Sequence, residues 1–190
     1  MRKVIAAINM TIDGFCDHTA IVPDKEIHEH YTELLREAGV VLYGRITYQL
    51  MQYWQSFMEN PRGEKSMDDF AAAIDVIPKI VFSHQLQSTG WASASLSHQS
   101  ISETVSALKK EQGKSILVGS RSLIIQLMQL DMIDELQLCI HPVIAAAGLP
   151  LFEDIQRRIT LKRFKVKHFT SGALILYFKP ESLIHTKATS

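Results

Sequence analysis

Short apolar runs alternate along this chain with stretches of helical period, and that alternation constrains the fold more than any other feature. Val4 to Asn9, Val40 to Tyr43, Lys79 to Ser83 and Ser115 to Val118 read as strands, in period-two or continuous apolar runs. Ile27, Tyr31, Leu34, Leu35 and Ala38 share one helical face behind Asp24, a candidate N-cap, and Gly39 is expected to close that helix. Thr47 to Trp54 looks helical; after a polar loop over Asn60 to Ser66, a further helix is expected near Met67 to Ile74. Ser100 and Glu103 form a capping box ahead of Ile101, Val105 and Leu108, with Gly113 at the far end. Leu123, Ile124, Leu127, Met128 and Leu130 then make an apolar helix directly after the fourth strand. Strand and helix repeated in this order predict a largely parallel sheet covered on both faces.

The last third changes character. Leu136, Leu138 and Ile140 alternate with Glu135, Gln137, Cys139 and His141, which predicts a half-buried strand ending at Pro142. Ile159 to His168 and Ala173 to Phe178 bracket Ser171-Gly172 and read as a hairpin. The expectation is an α/β protein: a three-layer α/β/α sandwich whose central sheet is mixed, mostly parallel, with an antiparallel C-terminal hairpin. No repeat or linker divides it, so residues 1–178 read as one domain and 179–190 as a tail.

Charge narrows the partners. Twenty Lys and Arg balance twenty Asp and Glu, so no basic excess exists to neutralise nucleic-acid phosphates or an anionic membrane. The apolar run after Arg2-Lys3 stops at Asn9, short of a signal peptide, and Val143 to Phe152 is interrupted by Gly148 and Pro150. Cys16 and Cys139 have no CxxC spacing and read as ordinary thiols, which suits a cytoplasmic protein. His28-Glu29-His30 cannot share one ion, since helical residues two apart diverge; both histidines are expected at the surface and no metal site is expected. Arg157 to Lys167 holds six basic residues and no acidic one, alternating with apolar residues, and reads as the solvated face of a strand.

Familiar nucleotide loops fail by inspection. None of the nine glycines stand two apart, so no GxGxxG turn exists, and the Gly39 to Gly44 spacing lacks the Lys-Ser/Thr of a P-loop. Two strand-to-helix corners remain. Val40 to Tyr43 runs into Gly44-Arg45-Ile46-Thr47, and Ile116 to Val118 runs into Gly119-Ser120-Arg121-Ser122. Each puts glycine backbone, a guanidinium and hydroxyls at a helix start, an arrangement suited to anions. The structural alternative is that glycine relieves a turn and Ser or Thr caps a helix. Two such corners in one sheet suggest a dinucleotide, and Ser83-His84 adds a third polar strand end.

Ala6-Ala7-Ile8 with Thr11-Ile12-Asp13-Gly14, then Gly44 to Tyr48, then Lys79 to Ser83, resembles the dihydrofolate reductase superfamily. Val118-Gly119-Ser120, Ile133 to Leu136 and Pro142 through Pro150-Leu151-Phe152 resemble its branch containing the C-terminal reductase domain of the riboflavin-biosynthesis deaminase/reductase. The resemblance runs over about residues 3–178 and implies a dihydrofolate reductase-like fold and NADPH as cofactor. It implies that Gly44, Arg45 and Thr47 hold cofactor phosphates and that Ser83 lies by the adenosine phosphate. Gly119, Ser120, Arg121 and Ser122 would wrap the pyrophosphate and nicotinamide side, with Ala7 and Gly14 near the nicotinamide ring. Two departures stand out: Gly119-Ser120 where members often carry Gly-Gly, and Ala145-Ala146-Ala147-Gly148 in place of a glycine-rich turn.

The resemblance also implies an acidic residue early in the first helix, where Asp24 and Glu26 stand; Asp24 reads equally as an N-cap. Asp13 is a third candidate for contact with substrate, or a turn residue. His141, ending a strand before Pro142, falls near the family's substrate side. The leading expectation is therefore an NADPH-dependent reductase of a small heterocycle or sugar-amine, as a homodimer. The riboflavin-pathway reductase is the nearest activity, and dihydrofolate or pterin reduction is an alternative. The rivals are a dinucleotide-binding module without turnover and an interaction protein using the basic strand.

Overall fold

A computed structural model describes residues 1–181. Its single eight-stranded sheet has the order β4-β3-β2-β5-β1-β6-β8-β7. The strands are β1 (Val4–Thr11), β2 (Ala38–Gly44), β3 (Lys79–Phe82), β4 (Ala94–Leu96), β5 (Ser115–Val118), β6 (Glu135–His141), β7 (Leu161–His168) and β8 (Leu174–Pro180). β1 to β6 run parallel; β8 runs antiparallel between β6 and β7. The helices are α1 (Lys25–Glu37), α2 (Arg45–Met51), α3 (Ser56–Glu59), α4 (Lys65–Val76), α5 (Ile101–Lys110) and α6 (Arg121–Gln129). A 3-10 turn over Gln52–Gln55 joins α2 to α3.

Period-two geometry sorts each central strand onto two apolar faces. Val4, Ala6, Val40, Leu42, Ile116 and Val118 pack with α5 and α6. Ala7, Val41, Tyr43 and Leu117 face α1 and α4. Side chains such as Leu42, Ile116 and Ile124 are fully buried, each contributing roughly 1.5–3 kcal/mol of apolar burial. A smaller cluster of Ile27, Cys139, Phe169, Ala173, Ile175 and Tyr177 seats α1 on β6 and the hairpin. The three-layer, mostly parallel arrangement follows from this two-sided burial.

The caps explain the helix starts. Asp24 accepts the Ile27 N–H at 2.9 Å, and Ser100 and Glu103 cap α5 reciprocally. Gly39 does not close α1; it lies inside β2, where an added Cβ would come within 2.9 Å of the Arg2 guanidinium. β8 continues to Pro180, and the Glu181 N–H bonds the Thr160 carbonyl. Residues 182–190 of the expected tail lie outside the described residues.

The crossovers fix where a ligand can enter. From β1 the chain passes over one face, by α1, to β2; from β5 it passes over the other face, by α6, to β6. The topological switch point therefore lies between β5 and β1, where open α/β sheets bind ligands beyond the strand carboxyl ends.

Candidate active site

At the switch point β5 pairs with β1 over Val4 to Ala6, and the pairing ends where Val118 lies opposite Ala6. β1 runs on to Thr11, paired with β6 alone. Its other backbone edge from Ala7 onward has no partner strand among the described residues, leaving polar groups available to a ligand.

The two strand-to-helix corners meet beside this edge. Gly44 donates its N–H to Ser120 Oγ at 2.9 Å, inside the protein. A Cβ on Gly44 would stand 3.2 Å from Ser122 Oγ, and one on Gly119 3.1 Å from the Tyr43 ring. These two glycines let the corners pack on each other. Ser120 makes no capping bond to α6; its buried hydroxyl serves Gly44. Arg45 is half-buried, its guanidinium held by Gln49 at 3.1 Å, and Thr47 is also half-buried. Phe82 pairs with Gly44, so Ser83 follows directly beyond the same sheet end. The Ser83 hydroxyl accepts the N–H groups of Gln85 and Leu86, both at 3.0 Å. Sheet order thus brings Gly44, Arg45, Ser83, Gly119 and Ser120 to neighbouring strand ends, with Ala7 next in line.

Arg121 turns away from the corner. Its Nε donates to the Pro150 carbonyl at 2.5 Å, and its terminal nitrogen pairs with Asp154 at 2.9 Å. Gly14 holds the turn after β1 at φ +92°, a conformation open to glycine. Its carbonyl accepts the Leu151 N–H.

The three carboxylates proposed from sequence occupy different places. Asp24 caps α1 beside the end of β6. Burial opposes its ionisation, but the Ser171 hydroxyl and the Ile27 and Glu26 amides outweigh that and hold its pKa below the ordinary value. Glu26 accepts the Thr170 N–H at 2.8 Å and clasps the hairpin turn. Asp13 accepts the Thr11 hydroxyl at 2.6 Å and the amides of Ala145 and Ala146 at 3.1 and 2.8 Å. That makes it a clasp between two loops. Ala146 sits at φ 62° within the clasp.

A further polar group, where the ends of β1 and β6 pair, centres on His141. This side chain is 5% exposed; its Nε2 meets Asn9 Oδ1 at 2.9 Å, and Cys139 Sγ lies 3.6 Å away. Nδ1 has no protein partner among the described residues. Burial lowers the imidazole pKa while the Asp24 carboxylate opposes the shift. Asn9 was not singled out from sequence; its position ending the first apolar run was the available signal.

Two expectations about exposure fail. The polar face of β6 is not solvated: Gln137, Cys139 and His141 are all buried. Of the two helix histidines, His28 is half-buried and His30 buried. His28 packs edge-on against Trp54 at 5.6 Å, and His30 lies among Tyr31, Phe169 and Tyr177. Burial pulls the His30 pKa down to about 4, with Lys167 adding to the shift. Two shallow concavities lie apart from the corners, one by Asp131, Asp134 and Lys179, the other along Glu29, Glu33 and Lys167.

A family model described as the RibD C-terminal domain matches residues 2–175. The uncharacterized protein YyaP of Bacillus subtilis (strain 168) is 32% identical over 185 residues, covering 93% of this chain and 94% of that protein. A putative riboflavin biosynthesis protein from Shewanella sp. PV-4 superposes with a TM-score of 0.72 at 14% identity, over 95% of this chain and 99% of that one. Dihydrofolate reductase from Enterococcus faecalis, complexed with NADP(H), gives 0.63 at 12% identity over 95% and 97%. The two structures show that the fold is dihydrofolate reductase-like.

Proposed function

The chain belongs to the RibD C-terminal domain family, and from that premise we propose that it is an NADPH-dependent oxidoreductase acting on a small heterocyclic or sugar-amine substrate. The reaction class is that of 5-amino-6-(5-phosphoribosylamino)uracil reductase. A small-molecule substrate, a homodimer and a cytoplasmic setting are parts of the same proposal. One observation carries it: the unpaired edge of β1 opens at the switch point, between the joined corners and the Asp24, Asn9 and His141 group.

The residues present fit an anionic dinucleotide. Among the described residues Arg45 has only a neutral side-chain partner; it brings a guanidinium to the strand ends, and Thr47 and Ser83 bring hydroxyls. When bound, NADPH supplies the hydride. The β1 edge offers amide and carbonyl groups to orient a carboxamide-bearing ring. Asp24, held ionised by its donors, orients a substrate rather than supplying a proton. His141, with Nε2 fixed on Asn9, is placed to hold or pass a proton at Nδ1. The test is oxidation of NADPH across matched pterin, pyrimidine-ribosylamine and carbonyl substrates. Turnover of one class above the substrate-free rate supports the proposal; saturable NADPH binding without turnover across the panel favours a binding module.

A further inference from the structure

β7 is the last strand of the sheet, and its outer backbone edge has no partner among the described residues. Residues 157–168, which lead into it and run along it, hold six lysines and arginines and no acidic residue. Three lysines on this strand pair lie over aromatic rings: Lys165 over Tyr177 at 4.7 Å, Lys167 over Phe169 at 5.1 Å and, from β8, Lys179 over Phe164 at 5.1 Å. The rings hold the aliphatic stems and leave the charged ends toward water. Lys162 stands directly opposite Lys179, like charge against like. Lys162, Lys165, Lys167 and Lys179 enter no ion pair among the described residues. A chain of zero net charge thus carries four unpaired ammonium groups along one pair of strands.

Lysines and a bulge on an edge strand guard a sheet against pairing with its own kind. Both devices are present here, since the register shifts between Arg163 and Lys165 and Phe164 is the extra residue. A second copy of β7 laid on this edge would set cation against cation. The same row attracts an acidic strand. Beyond the bulge the register is regular over 165–168, and Lys165 and Lys167 fall about 6.5 Å apart on one face. Carboxylates at alternate positions of an extended segment have that same spacing. Glu26, Glu29 and Glu33 of α1 line a groove with Lys167. They confine the basic strip, so a broad polyanionic surface would meet carboxylates beside the lysines. A single-stranded nucleic acid needs open ring faces on which its bases stack. Tyr177 and Phe169 are buried, and an ammonium lies over Phe164.

We infer that the outer edge of β7 is a docking site for an extended acidic segment of a partner protein, added to the sheet as a further strand with carboxylates at alternate positions against Lys165 and Lys167. The site lies at the end of the sheet, apart from the cleft between β5 and β1, and does not depend on the reductase reading.

The test adds a fluorescein-labelled peptide of about ten residues, alternating Glu with Thr, to the full chain in about 0.1 M salt. The controls are the same peptide with Gln in place of Glu, and oligothymidylate. The Glu peptide is expected to saturate with a Kd below about 100 μM and the Gln peptide to show no binding at that concentration. Hydrogen exchange over 165–168 is expected to slow when the Glu peptide is bound. Lys165→Gln combined with Lys167→Gln keeps the stems over their rings and is expected to weaken binding by about tenfold. A Glu peptide that fails to saturate by about 1 mM, or a Gln peptide of equal affinity, overturns the inference and leaves the lysines as edge protection. These two peptides compared on the wild type decide the question even where the double variant melts early. Affinity unchanged in a folded double variant overturns it as well. Oligothymidylate binding more tightly than the Glu peptide overturns it in favour of nucleic acid. Exchange over 165–168 that is already slow in the free chain and quickens on dilution overturns it in favour of a second copy of this chain.

Discussion

The backbone N–H of Gly44 donates to the Ser120 hydroxyl at 2.9 Å, joining two strand ends that stand 76 positions apart. One buried bond thereby fixes the spacing of the corners proposed to hold the two halves of a dinucleotide. Ser120→Ala removes the acceptor and leaves a buried N–H unpaired, a loss of about 1–3 kcal/mol. For a domain of this size, thermal unfolding is expected to move down by about 2–4 °C per kcal/mol. A melting temperature unchanged by the substitution would show that the corners are not coupled through this bond.

Lys79 enters β3 with its ammonium buried against the Ile77 carbonyl at 2.9 Å and Ser93 Oγ at 2.6 Å, over the Trp91 ring. Burial pulls its pKa down to about 8, with Asp75 opposing. The folded state therefore gives up the proton first. The stability linked to this group is full above the ordinary lysine pKa and is lost as pH falls through about 8. Urea unfolding of the wild type and Lys79→Met should diverge in favour of the wild type as pH rises from neutral through that window. A difference that shrinks with pH would refute the assignment.

Asp13 ties the loop after β1 to the loop after β6. The Thr11 hydroxyl lowers its pKa most, burial opposes, and the Ala146 and Ala145 amides lower it further. The clasp is complete above the ordinary carboxylate range and weakens as pH falls through the lowered folded-state value. Asp13→Ala should accelerate hydrogen exchange at Ala145 and Ala146 while leaving the β5 amides protected. Unchanged exchange at both positions would mean that the loop holds its shape without the carboxylate.

Much of this was legible in the sequence because the relevant signals are local. The capping box of Ser100 and Glu103, the Asp24 cap and the Ser171-Gly172 hairpin each depend on neighbours within a few residues. The corners were visible as glycine-led strand ends, but their mutual packing was not, since Gly44 and Ser120 meet only through the sheet order. Gly39 was misplaced because its close approach to Arg2, rather than a helix end, demands a small residue. Alternation along β6 suggested one wet face. That strand lies inside the sheet, between β1 and β8, and Gln137, Cys139 and His141 are buried polar groups. The pairing of His141 with Asn9 links positions 132 apart, and local pattern carries no trace of it.

The account turns on a cofactor bound across the joined corners, and titration of the purified chain with NADPH, followed by calorimetry, tests it most directly. A single saturable site is expected in the wild type. Arg45→Gln is expected to weaken it by about tenfold or more, the worth of one charge-assisted contact at about 1.5–3 kcal/mol. No saturable heat in the wild type at millimolar NADPH, or equal affinity in wild type and Arg45→Gln, would contradict it.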